Sequence, residues 1–178
     1  MTDPSYALTG AQVATFQADG AACLRAVFDA GEIAEIQAAV DEAMAHPGPH
    51  ALDFSGNDEG RFFGDVFVWT RIPALREKVV NSHLGEIAAK LMDAREVRFF
   101  FDHLLVKEPG SSAPTPWHQD APYFPIEGSQ CCSIWIALDP VTIENGAVEY
   151  VKGSHVPEQC YAPKSFHGDD RIGNAALA

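Results

Sequence analysis

The stretch that decides the fold class is Val97-Arg98-Phe99-Phe100-Phe101-Asp102-His103-Leu104-Leu105-Val106-Lys107, followed by Glu108-Pro109-Gly110. Such a density of aromatic and branched residues favours a β-strand, and the Pro-Gly pair is typical of the turn that ends one. Upstream, apolar residues recur at helical spacing, first before the Asp19-Gly20 break, then over 33–43, and again over 73–92. Downstream, the stretches 133–138 and 147–151 are predicted to be further strands.

Helices followed by short strands indicate helices packed outside an antiparallel β sandwich or barrel. We therefore predict a mainly β fold with flanking helices, forming a single domain over residues 1–178 that is helical over 1–94 and has a β core from about residue 95. The last residues contain no closing strand, and three or four strands leave sheet edges open to solvent. We expect the chain to be the N-terminal portion of a longer domain.

Composition and charge narrow the function classes. The 178 residues are 47% hydrophobic, which is the balance of one globular domain. Twelve basic and 25 acidic residues give a net charge of −13, which repels phosphate backbones and anionic lipids. No apolar run reaches the roughly 18 residues of a spanning helix, and the start lacks the pattern of a signal peptide. We predict a cytoplasmic protein that binds neither nucleic acid nor membranes.

The motif that carries the most chemical information is Trp117-His118-Gln119-Asp120. Residues two apart in an extended strand point to the same side, so His118 and Asp120 can present an imidazole nitrogen and a carboxylate to one cation. Two histidines and one carboxylate hold iron(II) in non-haem oxygenases and leave open positions for co-substrate and oxygen. The spacing alone is also compatible with a surface turn in which the two side chains are hydrogen-bonded.

Around this motif the chain resembles the phytanoyl-CoA dioxygenase family of iron(II)- and 2-oxoglutarate-dependent oxygenases. Several motifs in one order are more specific than any single one. The matching pieces are Phe16-Gln17-Ala18-Asp19-Gly20 with the helix that begins near Glu32-Ile33, Val106-Lys107-Glu108-Pro109-Gly110, Trp117-His118-Gln119-Asp120, Trp135-Ile136-Ala137-Leu138-Asp139, and the stretch from Asn145 to His155. The resemblance implies a double-stranded β-helix, a jelly-roll or cupin-like core that is incomplete in this chain, and it makes His118 and Asp120 metal ligands.

The resemblance also implies residues that bind the co-substrate. Trp135 lies on the strand after the metal motif and is a candidate to flank 2-oxoglutarate, although a strand tryptophan is more often part of a core. Gln119 points away from the ligands in a regular strand, so a role for it requires a local twist. His103 and Lys107 share one face of the preceding strand, where they either reach the co-substrate or lie at a strand end in water.

Two aromatic residues after the ligands, Tyr123 and Phe124, are candidates to line the substrate pocket, or else they cover the core. The family also needs a second metal histidine and an arginine that binds the distal carboxylate of 2-oxoglutarate. His155 lies in a Gly-Ser-His turn that is not the ligand in the family, and His167 and Arg171 come too early in the sequence. We expect both residues beyond position 178.

The function implied is an oxygenase that uses iron(II), 2-oxoglutarate and O2 to hydroxylate a small organic or lipid-like substrate, with release of succinate and CO2. The Asp120 carboxylate argues against halogenation, because the resembling halogenases carry a small residue in its place. One alternative is a catalytically inactive cupin-like binding or structural module that lacks the second histidine. Another is a metalloenzyme of the same barrel type with more histidine ligands, which the shortage of suitably spaced histidines disfavours.

Overall fold

The computed structural model describes residues 6–56, 59–112, 114–126, 128 and 130–156. Within that part of the chain, two helices are followed by two strands, two further helices and a third strand. The helices are α1 (Gly10–Asp19), α2 (Ala30–Ala45), α3 (Pro73–Asn81) and α4 (Leu84–Leu91), and the strands are β1 (Leu52–Asp53), β2 (Phe62–Val66) and β3 (His103–Lys107). None of these helices is long and apolar enough to cross a membrane.

The first two helices lie in the two stretches predicted to be helical, and each begins at a capping box. The Thr9 side chain and Gln12 form a capping box at α1, and Asp29 and Glu32 form another at α2. α1 ends at Gly20, which adopts the left-handed conformation that glycine tolerates best. Both predicted helices are therefore confirmed.

The predicted single helix over 73–92 is wrong in one respect, because the chain breaks at Ser82 and His83 into α3 and α4. Ser82 is extended, and its hydroxyl accepts a hydrogen bond from the backbone N–H of Leu84, which competes with helical bonding. His83 turns inward, is only 8% exposed, and places its Nε2 2.8 Å from the carbonyl oxygen of Val27. Burying this imidazole against a carbonyl favours the break over a continuous helix.

The sheet is a three-stranded antiparallel sheet in the order β1-β2-β3, built partly from the region predicted to be helical. β2 pairs with β3 from Phe62 opposite Lys107 to Val66 opposite His103. The sequence prediction missed β1 and β2, because β1 is only two residues long and β2 has glycine and aspartate at its centre. Gly64 is required there, since a Cβ would meet the Phe54 ring at 2.6 Å.

The other predicted strands are only partly observed. Of the stretch 97–107, only His103–Lys107 forms a strand, and neither 133–138 nor 147–151 is assigned as one. A strand needs a neighbour to receive its backbone hydrogen bonds, and the described residues supply none for these segments. The structure thus shows a small antiparallel sheet with helices, and the complete double-stranded β-helix stays a prediction.

The core lies between the helices and the sheet. Its central cluster joins α2 to the turn that precedes α3 and consists of Ala39, Ala43, Val68 and Ile72, with Leu75 and Leu104 packed against it. Phe62 and Phe63 at the start of β2 are almost completely buried. Burial of such aromatic side chains contributes about 1.5–3 kcal/mol each to folding.

A buried ion pair ties three segments of the chain together. Asp65 in β2 is 1% exposed, and its Oδ2 accepts a hydrogen bond from Nη2 of Arg71 at 2.5 Å and from the backbone N–H of Gly48 at 3.0 Å. Arg71 also donates to the carbonyl of His46 at 2.7 Å. The loop after α2, the centre of β2 and the turn before α3 therefore share one charged contact.

A second carboxylate, Asp102, holds the turn that follows β2. Its oxygens accept hydrogen bonds from the backbone N–H groups of Val68 and Trp69 at 3.1 and 3.2 Å, and its own carbonyl accepts from Phe67. Burial raises the pKa of Asp102, although these hydrogen bonds act in the opposite direction. Phe67 is held at φ 59°, which is a costly conformation for a residue with a side chain.

The Gly-Ser-His turn packs against the C-terminal end of α1. The backbone N–H of Gly153 donates to the Asp19 carbonyl at 2.9 Å, and Lys152 pairs with the Asp19 carboxylate at 2.8 Å. His155 places its Nε2 3.1 Å from the carbonyl of Gln17, and its ring occupies the space that a Cβ on Gly20 would need. Residues 138 positions apart in the sequence are thereby fixed against each other.

Replacement of Asp65 with Ala should lower the free energy of unfolding by about 3 kcal/mol, because Arg71 then loses its partner in a site that is only 25% open to solvent on the arginine side. Urea denaturation measures the change. The control is Glu96→Ala, which breaks an exposed pair with Arg98 and should cost less than about 1 kcal/mol. Equal effects of the two substitutions would contradict the role given to Asp65.

Replacement of Gly20 with Ala should cost about 1–2 kcal/mol from its φ of 82° alone, and displacement of the His155 ring adds to that. The matched control is Gly10→Ala, because nothing lies within 4 Å of a Cβ at that position of α1. Thermal melting of the two variants compares the sites. A melting temperature of Gly20→Ala as high as that of Gly10→Ala would show that the turn does not depend on Gly20.

Candidate metal and co-substrate site

His118 and Asp120 lie outside any strand, directly before a turn. Asp120 has helical backbone angles and directly precedes the 3-10 turn Ala121–Tyr123. Nε2 of His118 nevertheless lies 3.2 Å from Oδ1 of Asp120. The two side chains therefore meet as the sequence predicts, but not because they alternate along a strand.

The orientation of His118 is set by its backbone surroundings. Nδ1 lies 2.7 Å from the carbonyl oxygen of Pro116, and because a carbonyl only accepts, Nδ1 carries the hydrogen. A cation bound between the two residues would meet the Nε2 lone pair of a neutral imidazole on the side of Asp120; without a cation, Nε2 at 3.2 Å is placed to donate to the Asp120 carboxylate. The edge contact between the His118 and Tyr123 rings, with centroids 5.6 Å apart, fixes the plane of the imidazole.

These two donor atoms fit a cation such as iron(II). An imidazole nitrogen and a carboxylate oxygen that converge on one point are two of the three ligands of a 2-His-1-carboxylate site. No group of three His, Cys, Asp or Glu side chains with metal-binding geometry occurs in the described ranges. The second histidine expected beyond residue 178 therefore stays a prediction.

Asp120 has a hydrogen-bond partner that the sequence analysis missed. Oδ2 of Asp120 accepts a hydrogen bond from the Ser133 hydroxyl at 2.6 Å, across 13 positions of sequence. Half of the Asp120 side chain is exposed, so this bond and the His118 contact decide how the carboxylate is turned. No local pattern marks Ser133, because its pairing depends on how the chain folds back after residue 124.

Other titratable groups lie within the electric field of Asp120. Burial raises the pKa of the Cys131 thiol and of the Tyr150 hydroxyl, and the Asp120 charge raises both further. His103 keeps exposed surface, but loss of water around its ring lowers its pKa, while the charges of Asp120 and Asp65 oppose that shift. The structure thus brings His103 into electrostatic reach of Asp120.

The comparisons with known proteins identify the family of the chain. The family model for phytanoyl-CoA dioxygenase (PhyH) matches residues 16–172, which is most of the chain. The chain belongs to the PhyH family. A curated relative, "Dioxygenase lolE1" of Epichloe uncinata, is 33% identical over 66 residues, which cover 37% of this chain and 25% of that protein. No solved structure matches the chain.

Within this PhyH domain, the predicted co-substrate residues lie in different surroundings. Lys107 ends β3, with its Nζ 4.7 Å from the centroid of the Phe62 ring and 3.4 Å from the hydroxyl of Thr115. Loss of surrounding water lowers the pKa of Lys107. Gln119, which lies between His118 and Asp120 in the sequence, is half-buried. Its role in binding the co-substrate stays a prediction. Thr115 links the end of β3 to the segment that leads to His118.

Trp135 is not a core residue, because 51% of it is exposed to solvent. The alternative that Trp135 belongs to the core is therefore wrong for the described residues. The strand predicted to carry Trp135 is not formed either, although Gln37 in α2 anchors this segment by donating to the Leu138 carbonyl at 2.8 Å. Its contact with 2-oxoglutarate stays a prediction.

An aromatic array extends from the metal motif. The Phe124 ring packs edge-on against Phe101, with centroids 5.5 Å apart, and Phe101 contacts Phe67 at 5.7 Å. His50 packs against the other side of Phe67 at 5.8 Å. Tyr123 and Phe124 are both half-buried. The Tyr123 ring contacts His118, and the next residue, Phe124, belongs to the aromatic array.

Three residues were considered for the missing ligand and the arginine: His155, His167 and Arg171. His155 is engaged with α1, as described above, and its exclusion from the metal site stays a prediction. His167 and Arg171 lie outside the described residues.

Replacement of Asp120 with Asn in metal-free protein should lower the pKa of His103 further, because the Asp120 charge is one of the two that raise it. Proton NMR titration of the His103 ring measures the shift. Asp41→Asn is a matched control, since it removes a charge from the exposed face of α2. An unchanged His103 titration in Asp120→Asn would contradict the proximity of the two side chains.

Proposed function

We propose that this protein is a non-haem iron(II)- and 2-oxoglutarate-dependent oxygenase that hydroxylates a small organic or lipid-like substrate and releases succinate and CO2. The observation that carries the proposal is the 3.2 Å approach of Nε2 of His118 to Oδ1 of Asp120 inside a chain that belongs to the PhyH family. The family and the relative named a dioxygenase both support oxygenase chemistry.

The residues at the site have distinct tasks in this proposal. His118 offers a neutral nitrogen, because the Pro116 carbonyl keeps the hydrogen on Nδ1. Asp120 offers one carboxylate oxygen and balances part of the cation's charge. Iron(II) bound to these atoms would supply the redox chemistry by which O2 and 2-oxoglutarate oxidise a C–H bond.

2-Oxoglutarate is a dianion, and residues of β3 are proposed to bind it. His103 and Lys107 are four residues apart on one face of β3, which spans about 13 Å. The lowered pKa of His103 favours a neutral ring that exchanges hydrogen bonds. The ammonium of Lys107 is proposed to pair with a carboxylate of 2-oxoglutarate, whose charge would oppose the lowering of the Lys107 pKa by loss of water. Trp135 and Gln119 complete the set of proposed co-substrate residues.

The aromatic array supports the choice of an organic substrate with an apolar portion. Tyr123 and Phe124 follow the ligands directly, and the exposed part of Phe67 extends the same surface away from His118. Apolar contacts of this kind select for substrate shape and hydrophobicity without fixing one compound. We propose that the partner is a small molecule, and the predicted cytoplasmic location and the lack of nucleic-acid or membrane binding stay predictions.

Replacement of Asp120 with Ala in the full-length protein should reduce succinate formation from 2-oxoglutarate by more than about 100-fold, which exceeds the 10- to 100-fold cost of losing an outer partner of a ligand. The assay follows succinate with and without added iron(II). Asp41→Ala serves as the control for removing an exposed carboxylate. Unchanged turnover in Asp120→Ala would remove this residue from the metal site.

A further inference from the structure

The Asp120 carboxylate is constrained at both of its oxygens. Oδ1 lies 3.2 Å from Nε2 of His118, and Oδ2 accepts the hydroxyl hydrogen of Ser133 at 2.6 Å. The two contacts are on opposite oxygens, so the Ser133 bond leaves Oδ1 directed at the point it shares with His118. A bond of 2.6 Å from a hydroxyl to a charged carboxylate is at the strong end of the range.

The rotation that Ser133 restrains is a soft one. The terminal torsion of an aspartate side chain has broad energy wells, so an exposed carboxylate turns easily when nothing holds it. The Asp120 side chain is 50% exposed and directly precedes a 3-10 turn, outside any strand that would fix its direction. The hydroxyl of Ser133 therefore supplies an orientation that packing at this position does not.

The other ligand is oriented by main chain. Nδ1 of His118 is held by the carbonyl of Pro116, which no side-chain replacement removes. Ser133 is by contrast a side-chain partner that can be exchanged without touching either ligand. This difference makes the contribution of the outer hydrogen bond measurable by itself.

We propose that Ser133 is a positioning residue for the metal site, whose hydroxyl holds the Asp120 carboxylate in the orientation that binds the cation together with His118. The proposal rests on the proposed function, because it assigns Ser133 a task in the same iron site. Ser133 touches neither cation nor substrate and acts only through Asp120. Its loss should therefore weaken metal binding and leave the fold in place.

The test measures binding of Mn(II) alone to full-length, metal-free protein by electron paramagnetic resonance. Ser133→Ala should raise the Kd for Mn(II) about 10- to 100-fold, as loss of an outer partner of a ligand does elsewhere, and Ser133→Thr should restore binding because it keeps the hydroxyl. The KM for iron(II) in the succinate assay should rise in parallel. The melting temperature of the metal-free Ser133→Ala variant should equal that of the unaltered protein.

A second serine gives a matched control for the loss of a hydroxyl–carboxylate bond. The Ser55 hydroxyl donates to Asp53, next to the end of β1, and also accepts from the backbone N–H of Phe62; neither partner is His118 or Asp120. Ser55→Ala should lower the melting temperature and leave the Kd for Mn(II) unchanged. Ser133→Cys, which keeps the shape but donates weakly, provides a further variant should Ser133→Ala fail to fold, and it should also raise the Kd.

The outcomes separate the role of Ser133 from the site itself. If Asp120→Ala loses Mn(II) while Ser133→Ala or Ser133→Cys binds it as tightly as the unaltered protein, the role of Ser133 is overturned and the metal site stands. If Asp120→Ala and His118→Ala bind Mn(II) as tightly as the unaltered protein, the site and the proposed function fail together.

Discussion

The contact on which the rest of the described structure depends is the ion pair between Asp65 and Arg71. A carboxylate with 1% exposure is tolerated only if its charge is matched and its lone pairs are bonded, and here an arginine and the N–H of Gly48 do so. The pair fixes the centre of β2 relative to α2 and α3. Since β2 pairs with β3 over its whole length, the position of His103 follows from the same contact.

Asp102 connects the sheet to the aromatic array through hydrogen bonds to the turn that carries Phe67. Its carboxylate binds two N–H groups of the turn after β2, and its carbonyl binds the N–H of Phe67. These bonds offset the cost of the positive φ of Phe67, which is of order 1–3 kcal/mol for such conformations. The result is that the Phe67 ring lies against Phe101, and through Phe124 the array reaches the metal motif.

Local chemistry made part of this structure predictable from sequence. Thr9 and Asp29 cap the N-termini of the first two helices, and the two proposed metal ligands lie in one short motif. The features that escaped prediction depend on tertiary contacts. β2 pairs with β1 and β3, and the buried Asp65 at its centre is matched by Arg71, which no periodicity in the sequence shows. Ser133 becomes part of the site only because the chain returns to Asp120 after 13 residues.

The site is built on a turn, and this explains why its outer hydrogen bonds matter. Side chains on a regular strand inherit their direction from the pleat, whereas those on a turn are held less firmly and need partners of their own. His118 has the Pro116 carbonyl and Asp120 has the Ser133 hydroxyl, so each ligand keeps one atom bonded outside the pair. The remaining atoms, Nε2 and Oδ1, are thereby left facing each other. If the pair binds a cation as proposed, these outer bonds orient both donor side chains before the cation arrives, which would lower the cost of binding.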